Sequence, residues 1–360
     1  MKTLAKSEVV AVESQPTAKK ERLLTFDIAK GIGILLVVFA HINHTPILLS
    51  YIYSFHMPLF FILSGMFFKK DKYRTFWAFA KQKFLTLICP YIFFYLAAMV
   101  VKFAISVIYN GLTSEVIHEY LMYFVQMFIA EKSATVIDSP LWFVPCLFAV
   151  ECIYYFVSKL KPAFSAAVCA LLVCLGWFLE SGLIPVQNVI FPWNLPTAFF
   201  AIGFYAIGHL TFGRVKEATQ KIKSSKHGAI IAAACALLCF LIIVPCDMLN
   251  GKVTMGSRVL NNGFIFYISG IVGTVGVLLL STLLEKAKFL LFCGQNSFSI
   301  MATHHLIRHV YICFYSLLGI KMYDQESIVE TIIPVIVILA LSLVCTLIYN
   351  KLSLFKKKAK

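Results

Sequence analysis

The feature that most constrains this chain is a succession of long apolar runs with almost no room between some of them. A helix that crosses a bilayer needs roughly 20 mostly apolar residues, and about ten windows meet that measure. They fall at Phe26–His44, Ile47–Phe68, Phe84–Tyr109, Leu141–Ser158, Phe164–Glu180, Leu195–Phe212, Gly228–Leu249, Gly263–Leu284, Phe298–Leu318 and Ile332–Phe355. Backbone polar groups inside lipid must be satisfied within their own segment, so runs of this length predict helices. Composition agrees: 60% of the 360 residues are hydrophobic and 14% charged, against about half and a quarter in a soluble domain. The expected fold is therefore all-α, a polytopic integral membrane protein. The first two windows form a tight helical hairpin around Thr45-Pro46.

Charge gives the expected orientation. The net charge of +15 sits in short clusters between apolar runs, which suits membrane orientation rather than nucleic-acid binding. Lys69, Lys70, Lys72, Arg74, Lys81 and Lys83 face Asp71 alone between windows two and three. Arg214, Lys216, Lys221, Lys223 and Lys226 face Glu217 between six and seven, and the chain ends in Lys351, Lys356, Lys357, Lys358 and Lys360. The alternate loops are acidic, with Glu115, Glu119, Glu131 and Asp138 against Lys132, and Asp324, Glu326 and Glu330 against Lys321. Lys252 and Arg258 run against the pattern. Cytoplasmic loops collect Lys and Arg, so both termini are expected inside. The organisation expected is a polar cytoplasmic tail over 1–22, one transmembrane domain over 23–355 and a basic tail over 356–360. The first apolar run keeps Asp27 and Lys30 with no small-residue cleavage site after it, unlike a removable signal peptide. The segment Glu119–Ala130 is short, apolar and acid-flanked, as expected of a helix lying in the outer interface. The 11 cysteines are scattered without C-x-x-C or Cys/His zinc spacing, and they read as core thiols with no disulfide framework or metal site.

Ionisable side chains inside hydrocarbon are costly, so each marks a candidate functional position. Window one carries Asp27, Lys30, His41 and His44, whose spacings return to nearly one helical face. Asp27 and Lys30 could simply pair and snorkel. Window two adds His56, with Pro58 to break the backbone ladder and Gly65 to permit close helix approach. Window nine holds Thr303, His304, His305, Arg308 and His309, with His304/Arg308 and His305/His309 each at i, i+4. That group reads either as polar helix-packing glue or as the lining of a cavity. Lys102 is expected to snorkel outward, and Glu151 requires a partner that the sequence does not identify.

The chain resembles the membrane acyltransferase-3 family, and within it the fucose 4-O-acetylase-like sugar O-acetyltransferases. The resemblance rests on four ordered matches: Lys30 with His41 eleven residues on, Phe55-His56-Met57-Pro58-Leu59-Phe60-Phe61 with Ser64-Gly65, Leu141-Trp142-Phe143-Val144-Pro145, and Gly294-Gln295-Asn296-Ser297 with His304. It departs from the family in one place, where paired arginines often precede the Pro of the third span. Here Lys81 and Lys83 stand further back from Pro90, and lysine lacks the bidentate fork of arginine.

The resemblance implies an acyltransferase that moves an acetyl group from acetyl-CoA to a sugar hydroxyl of a cell-envelope polysaccharide or lipid-linked glycan. It implies a multi-pass protein of the inner (cytoplasmic) membrane whose partners are acyl-CoA, the glycan and the bilayer, with no metal and no nucleic acid. His41 is the expected general base, because imidazole titrates near neutrality, with Lys30 and Asp27 assisting. His56, Ser64, Trp142, Asn296, Ser297, His304 and Arg308 are expected to meet substrate, and Lys81 and Lys83 to meet the phosphates of the donor. Trp142 reads equally as an interfacial anchor. The competing class is a transporter or flippase of a glycan or charged small molecule, whose buried ionisable groups would relay protons. No inverted repeat supports it.

Overall fold

The computed structural model describes residues 24–131, 137, 139–181, 189–257, 259–320 and 323–352. The two tails, and Lys132, Asp138, Arg258 and Lys321 with their part in the loop-charge argument, lie outside the described residues. Among the described residues fourteen α-helices run in order: α1 (Leu24–Ile42), α2 (Pro46–Tyr53), α3 (His56–Met66), α4 (Phe76–Lys83), α5 (Cys89–Asn110), α6 (Ser114–Ile129), α7 (Phe143–Val157), α8 (Pro162–Glu180), α9 (Leu195–Ser224), α10 (Gly228–Asn250), α11 (Gly263–Leu283), α12 (Lys288–Gln295), α13 (Ser297–Leu317) and α14 (Ile328–Leu352). Among the described residues there is no strand beyond one isolated bridge, Thr254–Val259. The chain is an all-α polytopic membrane protein.

Nine helical segments among the described residues are long and apolar enough to cross a membrane. α13 is 21 residues long and covers the ninth window, but its histidines and Arg308 leave it less apolar than the others. Burial separates centre from rim. Of the apolar window in each segment, 78% is buried for 140–157 and 61% for α1, against 11% for α8 and 17% for α10. α1, α3 and α7 therefore form the interior, while α8 and α10 present leucine and isoleucine side chains outward, where lipid would cover them.

Glycines set the central contacts. A Cβ on Gly65 would lie 1.9 Å from the Tyr205 carbonyl oxygen, and one on Gly208 would lie 2.0 Å from that of Ile62. α3 and α9 thus meet backbone to backbone. α1 and α12 do the same, with a Gly31 Cβ 2.1 Å from the Leu290 oxygen and a Gly294 Cβ 1.6 Å from the Asp27 oxygen. Without a hydrophobic driving force in lipid, such close approach supplies the dispersion contacts that hold helices together.

Three expectations change. α1 ends at Ile42, so His44 does not continue the stripe; Asn43 Oδ1 accepts the Thr45 backbone N–H at 2.9 Å, and Pro46 opens α2. The break in window two falls at Ser54-Phe55 rather than at Pro58, which sits in the first turn of α3 where its missing N–H costs nothing. The basic loop is shorter than expected. Thr75 caps α4 by accepting the Ala78 N–H at 3.2 Å, and α4 runs through a π-helical segment, Phe84–Ile88, into α5. Lys81 and Lys83 are therefore helical residues, and the third span covers Phe76–Asn110.

Lys83 also answers the question left by Glu151. Its Nζ lies 2.7 Å from Glu151 Oε1, with the glutamate side chain 4% exposed, and the Tyr205 hydroxyl donates to the same oxygen at 3.3 Å. A buried pair contributes little over an apolar replacement, but losing one partner strands the other. Lys83→Met should cost about 3 kcal/mol, and Lys83→Met with Glu151→Leu should recover most of it. Thermal unfolding of the detergent-purified variants measures both values.

Candidate active site

The matched motifs converge on one cavity of about 360 Å³ between α1, α2, α3, α7, α12 and α13. α1 contributes Asp27, Lys30 and His41; the α2–α3 segment contributes Tyr53, His56 and Ser64; Trp142, Gln295 and Ser297 close the walls. The reciprocal glycine contact of α1 with α12 makes this possible, because it brings the Gly294–Ser297 turn against Asp27 and Lys30.

Three histidines share one local geometry. His41 Nδ1 lies 2.7 Å from the Val37 carbonyl oxygen, His56 Nδ1 lies 2.9 Å from that of Ile52, and His304 Nδ1 lies 3.1 Å from that of Ile300. A carbonyl oxygen can only accept, so each Nδ1 carries the proton and donates back one helical turn. In the neutral ring Nε2 is then the lone-pair nitrogen, the tautomer a base facing substrate requires. The His41 ring is packed edge-on against His304, with centroids 5.1 Å apart, and against His305 at 6.1 Å.

At the other end of α1, Lys30 Nζ lies 3.8 Å from Asp27 Oδ1 and 4.8 Å from the centre of the Phe67 ring. Both side chains keep some exposure, 29% and 19%, so the pair faces the cavity mouth rather than a dry interior. Eleven residues of helix place Lys30 about 16 Å from His41 along the axis.

Several expected residues sit elsewhere. His304 is fully buried behind His41, and its Nε2 has no hydrogen-bond partner among the described residues. Arg308 donates to Gln325 Oε1 at 3.0 Å and ties α13 to the segment before α14. Asn296 donates to the Phe292 oxygen and accepts from Asn350 at 2.7 Å, which fixes the α12–α13 turn while its neighbours Gln295 and Ser297 reach the cavity. Lys81 is exposed, and Lys83 is bound to Glu151. Trp142 is 6% exposed and lines the cavity, so it is a wall residue and not an interfacial anchor. His44 lies in the α1–α2 turn, largely open to solvent; the partial desolvation it does undergo, with Arg308 and Lys252 nearby, lowers its pKa from the usual imidazole value. Sequence reasoning missed Val253–Gly256, a loop segment between α10 and α11 that lines the cavity and carries no periodic signal. Among the described residues, no group of His, Cys, Asp and Glu side chains could hold a metal ion.

A helical bundle whose ionisable side chains surround one intramembrane cavity is the architecture of a membrane-embedded enzyme or transporter. The family decides between them: the acyltransferase domain model of the acyltransferase-3 family matches residues 23–350, and the chain belongs to that family. No curated protein and no solved structure matches it. It is a membrane acyltransferase.

Proposed function

We propose that this protein is a sugar O-acetyltransferase of the fucose 4-O-acetylase-like kind, transferring acetyl from acetyl-CoA to a hydroxyl of a cell-envelope glycan or lipid-linked precursor. The observation that carries the reading is the single cavity that holds Lys30 at one end and His41 at the other. His41 Nε2 takes the proton of the sugar hydroxyl as its oxygen attacks the thioester carbonyl. The new C–O bond forms, the C–S bond breaks, and the proton passes from His41 to the leaving thiolate. The Tyr53 hydroxyl and the indole N–H of Trp142 are among the neutral donors in the same cavity that can face the developing oxyanion.

Distance decides the role of Lys30. About 16 Å from His41, it cannot share one reacting centre with that base. It suits the polar end of an extended thioester arm whose acyl end reaches His41. Asp27 holds the ammonium in place. With the basic clusters cytoplasmic, the donor enters past Lys30 and the acceptor meets His41 toward the outer face.

The test uses purified full-length protein with radiolabelled acetyl-CoA and water-soluble envelope glycan from the source cells. Label should enter the glycan fraction and be released by mild alkali, as an ester is. Absence of label would rule out this donor–acceptor pair and leave a membrane acyltransferase that uses a different acyl donor or acceptor.

A further inference from the structure

A second cavity, of about 460 Å³, lies between α5, α6 and α13, and nothing in the transfer chemistry above uses it. We propose that it is the subsite that holds the acceptor glycan before a hydroxyl reaches His41; this rests on the acetyltransferase reading. Its lining includes Lys102, Asn110, Glu119, Tyr120, Tyr123 and His309. Lys102 stands on α5, whose other side chains are largely apolar, and His309 on the more polar α13; ionisable groups at such positions are costly unless they face one another or a polar occupant.

The chemistry fits a neutral, hydroxyl-rich ligand. Phe103, Tyr120 and Tyr123 form a chain of edge-on rings, with centroids 5.1 and 5.3 Å apart, and such rings offer flat apolar surface to the C–H face of a sugar. The Glu119 carboxylate already accepts from the Tyr123 hydroxyl and keeps further acceptor sites. Asn110 supplies both donor and acceptor. One lysine against one glutamate gives no strong net sign, which argues against a phosphate-bearing ligand such as the donor.

Position supports the same assignment. The cavity lies toward the Asn110 end of the Phe76–Asn110 span, the opposite end from Lys81 and the basic cluster. Two elements connect it with His41. α13 carries His304 and His305 against His41, and His309, one turn or about 6 Å further along, lines the second cavity. Ile137 lines the second cavity, while Pro140 and Trp142, just after it in the chain, line the first.

Cys313 lines the second cavity and provides a native reporter. In nanodiscs, N-ethylmaleimide modification of Cys313, followed by peptide mass spectrometry, should slow about threefold at a glycan concentration twice the dissociation constant. The same protection is expected in the His41→Ala variant. In the transfer assay, Glu119→Gln and Tyr120→Ala should each raise the KM for glycan about tenfold, the size of one lost contact, with the KM for acetyl-CoA unchanged. The proposal is overturned if glycan leaves Cys313 modification unchanged, if only a short-chain phosphatidylcholine protects it, or if the acetyl-CoA KM moves instead. Transfer without protection or KM change defeats the subsite alone. Protection without transfer by the wild-type protein defeats the acetyltransferase reading alone.

Discussion

Replacement of His41 by alanine is expected to lower acetyl transfer by about 10²–10⁴-fold, the range a positioned general base contributes. The loss should fall on kcat, because the imidazole acts on a proton in flight and not on donor affinity. His41→Gln should be nearly as inactive, since an amide fills the space but cannot take the proton. Both variants should remain folded, because the hydrogen bond from the ring to the Val37 carbonyl lies within its own helix. Equal transfer rates for wild type and both variants, at equal amounts of folded protein, would remove His41 from the mechanism.

A stability effect as large as that of Lys83→Met should come from Gly294. An alanine Cβ there would lie 1.6 Å from the Asp27 carbonyl oxygen. Backbone cannot swing aside as a side chain can, so α1 and α12 must separate. Overpacking of this kind costs typically 1–3 kcal/mol and sometimes more; about 3 kcal/mol is expected here. Transfer should fall as well, because the same contact sets the turn bearing Gln295 and Ser297 against Lys30. Gly213→Ala is the contrast: nothing lies within 4 Å of its Cβ position, and a helical Gly→Ala change there should add about 0.5–1 kcal/mol. Thermal exposure of the buried thiols Cys146 and Cys293 to a thiol-reactive dye reads both variants. A Gly294→Ala protein as stable as wild type would show that the α1–α12 contact is softer than its geometry.

Which residues could work inside the bilayer was largely visible in the primary structure. Asp27, Lys30, His41 and His56 stand out because ionisable groups in an apolar run are costly, even though Asp27 and Lys30 could also simply pair. The Gly294-Gln295-Asn296-Ser297 run could be matched but not placed, because nothing local says which helix a turn will touch. Trp142 was ambiguous for the same reason: interfacial and cavity positions both open a span. His304 and Arg308 share a helical face, yet one backs onto His41 and the other binds Gln325. Helical phase fixes direction around one axis and says nothing about the neighbour in that direction.

By itself, then, the sequence determined the all-α membrane architecture, because lipid leaves the backbone no other partner than its own helix. It also determined the small set of intramembrane ionisable groups, because their cost limits them to places of use. Only the tertiary structure decided that Glu151 pairs with Lys83, that Gly31 and Gly294 bring the late turn onto the first helix, and that His41 has two further imidazoles at its back. Those are contacts between residues far apart in the chain, fixed by the close approach of glycine-bearing backbones that no single helix can specify.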